Sequence, residues 1–263
     1  MKKFYYLFEV SVEKNFKELK RYKFNTISDL LLFYILFMAM FLGIQGFGTS
    51  LGISSADMGD SLEGFIVGYF LWTVMIMSFV DIAYNVIDDA NKGTLEQLNM
   101  SNINLSQILV VRSMANLLVN VLLSIVLLFI IMYTTNKWIE LKILSIVILI
   151  FIGIFSILGI GLICGGLALI FKKIQSLLNL AQFFLIGLVT VFPESKFISG
   201  LIPFNYVAGK IFFIVLEGNS FIDLSIFDYG IMIGNSIFYF SIGLLVFNQC
   251  VKIAKKKGLL GQY

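Results

Sequence analysis

Residues 85–106 read NVIDDANKGTLEQLNMSNINLS, a polar island with an apolar run on each side, 64–83 before it and 108–133 after it. Asp88, Asp89, Lys92 and Glu96 crowd its first two-thirds. Gly93 breaks the pattern, and Thr94 then stands as an N-cap for the helix-forming string Leu95-Glu96-Gln97-Leu98. The reading is a short helix outside a bilayer, held between two spans and free to touch something else. A solvated turn is the alternative for the same residues.

The flanks of the island set the class. Of 263 residues, 59% are hydrophobic and only 13% charged, where a soluble domain carries about 25% charged residues. Several runs reach the ~20 apolar residues that cross the hydrocarbon core of a membrane. Six spans are read, at 27–47, 64–83, 108–133, 143–171, 174–192 and 226–247. The expected fold is therefore an all-α integral membrane protein with six transmembrane helices in one domain, 1–263.

Segment 1–25 carries Phe4, Phe8, Val12, Phe16 and Leu19 at steps of four and three, so they share one helical face. Glu13 and Lys17 fall off that face in the favourable i,i+4 order. A basic amphipathic helix of this kind suits the headgroup plane. Between the first two spans, Asp57, Asp60 and Glu63 occur with no Lys or Arg. Arg112, Asn116 and Asn120 recur every fourth residue in the third span, which turns them toward protein or water; Arg112 is close enough to the boundary to snorkel. Gly153, Gly159, Gly161, Gly165 and Gly166 in the fourth span permit close helix approach. Lys172 and Lys173 form a tight turn into the fifth span. Segment 193–225 is apolar but broken by Pro193, Gly200, Pro203, Lys210 and Gly218, and reads as one or two half-helices re-entering the outer leaflet.

Charge fixes the orientation. With the N-terminus inside, 15 of the 19 Lys and Arg residues fall on the cytoplasmic side, as the positive-inside rule requires. Both termini and the 85–106 island are then cytoplasmic. The absence of histidine removes Ser-His and Cys-His nucleophilic pairs and His-based zinc sites. Cys164 and Cys250 read as buried, unpaired thiols with no metal-ligand spacing.

The Gly93-Thr94-Leu95-Glu96-Gln97-Leu98 string between the second and third spans, the N-terminal helix, the re-entrant segment before the last span and the tail AKKKGLLGQY at 254–263 together resemble the permease subunits of type-2 ABC exporters. The chain departs from the family in having no proline soon after the string. The resemblance implies that 85–106 holds a coupling helix docking on a separate ABC ATPase. Gly93, Thr94, Leu95, Glu96 and Gln97 would meet that subunit, with Asp88, Asp89 and Lys92 at the rim. It further implies a second permease, a copy or a relative, and a route lined by the second and fifth spans. Candidate lining residues are Phe65, Tyr69, Thr73 and Met77 on the second span and Asn179, Gln182 and Phe183 on the fifth; plain helix packing is the other reading of the first four.

No Gly-x-x-x-x-Gly-Lys-Ser/Thr phosphate loop occurs, so this chain is not expected to be an enzyme, and ATP and Mg would belong to the partner ATPase. A lining of Phe, Met and Thr with scarcely a charge fits an amphipathic or hydrophobic substrate such as a peptide, drug or lipid. The expected setting is the bacterial cell membrane, with no nucleic-acid partner. The competing class is an ATP-independent secondary transporter or channel of six spans, although no matched pair of Gly/Pro-broken spans occurs.

Overall fold

The computed structural model describes residues 2–50, 59–140, 142–171 and 173–258, with backbone alone at 47–50 and 59–61. The readings that place Asp57 in an outer loop, Lys172 in a tight turn and 259–263 in the tail lie outside the described residues. Helix dominates, and no strand occurs among the described residues. The order is α1 (Lys2–Arg21), α2 (Lys23–Ser50), α3 (Gly59–Asn91), α4 (Leu95–Asn99), α5 (Leu105–Thr135), α6 (Ile143–Phe171), α7 (Gln175–Thr190), α8 (Lys196–Leu201), α9 (Asn205–Leu216), a 3-10 turn (Phe221–Asp223) and α10 (Ile226–Lys256).

Among the described residues, five helices are long and apolar enough to cross a membrane: Lys23–Gly46 of α2, Leu62–Asn91 of α3, and all of α5, α6 and α10. The run read as a fifth span is shorter than expected. Its helix, α7, has 16 residues, about 24 Å at 1.5 Å per residue against a hydrocarbon core of about 30 Å. Val191 is already extended, and Pro193 two residues on disfavours helix in the residue before it.

Contacts give the direction of each helix. The Ser236 hydroxyl donates to Ile152 O at 2.7 Å, Gly159 meets Tyr239 and Gly243, and Gly166 meets Cys250; α6 and α10 therefore run parallel. Gly161 lies on Phe79 O and Gly165 on Ile82, so α3 runs the same way as both. In contrast, the Tyr69 hydroxyl donates to Phe33 O, and Phe37 stacks near Phe65, so α2 opposes α3. Arg112 bonds Asp89 while Ser124 reaches Met77, so α5 opposes α3 too. After α6, α7 starts four residues beyond Phe171 and ends with Val189 O beside Gly68, near the start of α3. It thus returns the chain to the level at which α10 begins, where Lys142 Nζ donates to Gly218 O at 2.5 Å.

The centre of the molecule is α3 and α6. Phe79, Ile82, Leu149, Ile150, Ile154, Ile157 and Leu162 have no exposed surface. Glycine makes the α6–α10 seam: a Cβ at Gly159 would strike Tyr239 O, and one at Gly243 would strike Gly159 O. At Gly161 a Cβ would lie 2.8 Å from Phe79 O. The close approach read from the glycines of the fourth span is what they provide.

The segment before α10 forms two short helices. Asn205, fully buried, ties them together. Its amide donates to Leu188 O and Val191 O, each at 2.8 Å, and accepts from the Ser199 hydroxyl at 2.7 Å. That satisfies carbonyls left open at the end of α7. Asp228 caps the start of α10 through Ser225 N and pairs with Lys210 of α9 at 3.1 Å, while Tyr206 donates to it as well.

The N-terminal helix departs from its apolar stripe in part. Phe8, Val12 and Leu19 are partly covered, with Ser11 and Asn15, but Phe4 and Phe16 are 40% and 51% exposed, with Tyr5 and Tyr6 beside them. The Glu13–Lys17 pair forms at 2.6 Å; the ammonium's hydrogen bond and charge hold the Glu13 carboxyl below its ordinary range.

Candidate coupling segment

The first half of the island is the end of α3, which continues past the apolar run to Asn91. Gly93 stops it. Its φ of +69° is left-handed, open to glycine without the Cβ penalty. Gly93 N donates to Ala90 O at 3.0 Å and Thr94 N to Asp89 O at 2.9 Å, the paired bonds of a glycine-terminated helix end. Thr94 is not a side-chain cap of α4: its hydroxyl turns back to Asp89, 3.2 Å from the carbonyl and 3.1 Å from Oδ1.

α4 is one short turn with two unlike faces. Leu95 is fully buried in the core and Leu98 packs against it. Glu96 and Gln97 are exposed, as are Asp88, Lys92, Gly93 and Met100. Asp88 and Lys92 form a surface pair at 3.3 Å. Asp89 belongs to the mount and not to the rim. Its carboxylate takes Arg112 Nη1 at 2.7 Å, with side chains 15% and 25% exposed. Arg112 thus pairs across to α3 in place of snorkelling. The Thr94 hydroxyl ties α4 to the end of α3, Leu95 anchors it in the core, and the Asp89–Arg112 pair ties that end of α3 to α5. Sequence reading missed this link, because it needs the antiparallel register of two helices whose partners lie 23 residues apart.

The residues read as a pathway do not share one place. Phe65 and Tyr69 line an apolar cavity of about 280 Å³ between α2, α3, α7 and α9, reached from α7 by Ile186, Val189 and Thr190. The indole nitrogen of Trp72, another lining residue, is buried without a hydrogen-bond partner. Thr73 is fully buried with its hydroxyl on Tyr69 O at 2.9 Å. Met77 faces Ser124 of α5. Asn179 and Phe183 stand on the outer surface of α7, Phe183 being 76% exposed, and Gln182 is partly covered; none of the three lines that cavity.

A polar system that the sequence placed only as a face lies deeper. Asp81 accepts from the Ser113 hydroxyl at 2.5 Å and from the Asn116 amide, and Asn116 accepts from the Asn15 amide. Asn116 thereby links α1, α3 and α5. Compared with known proteins, the chain matches no family model, and no curated protein is significantly similar to it.

Proposed function

We propose that this chain is the membrane-spanning permease of a type-2 ABC exporter, moving an amphipathic or hydrophobic compound across a bacterial cell membrane. ATP and Mg are bound and hydrolysed by a separate ATPase subunit. The observation that carries the reading is the build of α4. Its exposed Glu96 and Gln97 stand on a turn held to the end of α3 by Thr94 and seated in the core by Leu95, and the Asp89–Arg112 pair ties that same end of α3 to α5. A force applied to such a turn acts on α3 directly and reaches α5 through that pair, which is what a motor on another chain needs.

In this account α7 is the sixth crossing. The common direction of α3, α6 and α10 supports it, since only a returning segment can bring the chain back between α6 and α10. Both termini and α4 then face the cytoplasm, in keeping with the distribution of Lys and Arg. The α8–α9 pair is re-entrant from the outer side. A second permease, copy or relative, covers the exposed α7 face that carries Leu180, Phe183 and Phe184, together with the loosely packed α2. The cavity at Phe65 and Tyr69 lies beside that face and gives the route its apolar wall.

The test is Glu96→Lys in the chain co-expressed with its ATPase and reconstituted in liposomes. The variant folds with wild-type stability, because the side chain is exposed, and loses transport and substrate-stimulated ATP hydrolysis. Normal transport by Glu96→Lys contradicts the docking role.

A further inference from the structure

A cavity of about 510 Å³ opens where α1, α2, α3 and α5 meet. Asp81, Asn116 and Asn120 form its inner wall, Glu18 and Asn25 stand on the α1–α2 side, and Val119 and Leu123 give it an apolar flank. No lysine or arginine lines it. Asp81 is the member that needs explaining. It lies in α3 two residues before the end of the apolar run 64–83, with Ser78 and Asn85 about one helical turn to either side.

Both Asp81 oxygens accept hydrogen bonds from neutral donors, the Ser113 hydroxyl and the Asn116 amide. Neither donor carries a charge. Among the described residues no cation comes within ion-pair distance of it. Lys14 pairs instead with Glu18, at 3.6 Å. A carboxylate near the end of a span, with no cation of its own chain on it, offers a seat for a partner of opposite charge, and this one lines the cavity.

We propose that the cavity binds the primary ammonium group of an amphiphile, with Asp81 as counter-ion, the amide oxygens of Asn25 and Asn120 as further acceptors, and the Val119–Leu123 flank against its hydrocarbon. A bare metal ion fits less well. No group of three His, Cys, Asp or Glu side chains gathers among the described residues, and the space is far larger than one ion's ligand shell. A primary ammonium offers three N–H donors to a wall of oxygens. A quaternary group is recognised by several aromatic faces, and Tyr22 is the one aromatic side chain here. The ammonium has two sources, an aminophospholipid of the bilayer or an amphipathic amine from solution. The site stands whether or not the chain works with an ATPase.

The experiment uses the full chain in phosphatidylcholine nanodiscs, titrated by calorimetry with octylammonium chloride against empty discs. Octanol and octyltrimethylammonium are the matched probes. Octylammonium binds the protein and the other two bind about tenfold or more weakly. Asp81→Asn, nearly the same shape, loses about tenfold or more in octylammonium affinity. Asn120→Leu leaves the hydrogen bonds of Asp81 intact and loses about threefold, which keeps the site testable if Asp81→Asn folds poorly. Discs containing phosphatidylethanolamine then separate the sources: a suppressed titration assigns the site to the lipid headgroup, and an undiminished one to an amine from solution. Equal affinity for octanol and octylammonium, or wild-type affinity in folded Asp81→Asn, overturns the proposal.

Discussion

At the scale of single residues, Asp89 separates what holds the coupling turn from what it presents. It is bound by Arg112 and Thr94, whereas Glu96, one residue past the buried Leu95, touches solvent. Asp89→Ala and Arg112→Ala each destabilise the protein by about 1–3 kcal/mol, below the range for a fully buried pair because both groups keep some solvent contact. The double variant loses less than the sum, and thermal unfolding in detergent measures all three. Gly93→Ala loses about 1–2 kcal/mol, since φ stays positive whatever the side chain. Gly93 was legible in the sequence as a break followed by helix-forming residues. The role of Asp89 was not, because a carboxylate in a polar island looks the same whether it faces water or an arginine from another helix. Asp81 was likewise readable only as an acid near a span, its partners being set by how α1 and α5 lie against α3.

At the scale of elements, hydropathy located the helices better than it located their ends. α3 and α10 run on past their apolar stretches to Asn91 and Lys256: the Asp89–Arg112 pair and the Gly93 turn hold the end of α3, and the lysines and alanine of 252–256 are good helix formers outside lipid. α7 is shorter than its apolar run because Pro193 ends it early and Asn205 takes up its last carbonyls. The glycines of α6 announced close packing, and the structure supplies the partners. Gly159→Leu forces α10 away from α6 and destabilises the pair by about 1–3 kcal/mol, possible relief by side-chain rotation being absent where the clash is with backbone oxygen. A parallel Gly230→Ala control, where a Cβ would meet nothing within 4 Å, leaves the melting temperature unchanged or raises it, since alanine is the better helix former.

At the scale of the whole molecule, three helices run one way and α2, α5 and α7 run the other, around a core centred on α3 and α6. The class, all-helical and membrane-spanning, followed from composition and run length alone. The proposed assembly rests on α4 being cytoplasmic and covered by a second protein. Impermeant maleimide labelling of Gln97→Cys tests both points at once, with Cys164 and Cys250, both buried, replaced by alanine. Sealed vesicles of each orientation are compared, with and without the co-expressed ATPase. The account predicts labelling only where the cytoplasmic face is exposed, and protection when the ATPase is bound. Labelling from the outer face, or cytoplasmic labelling that the ATPase leaves unchanged, contradicts it.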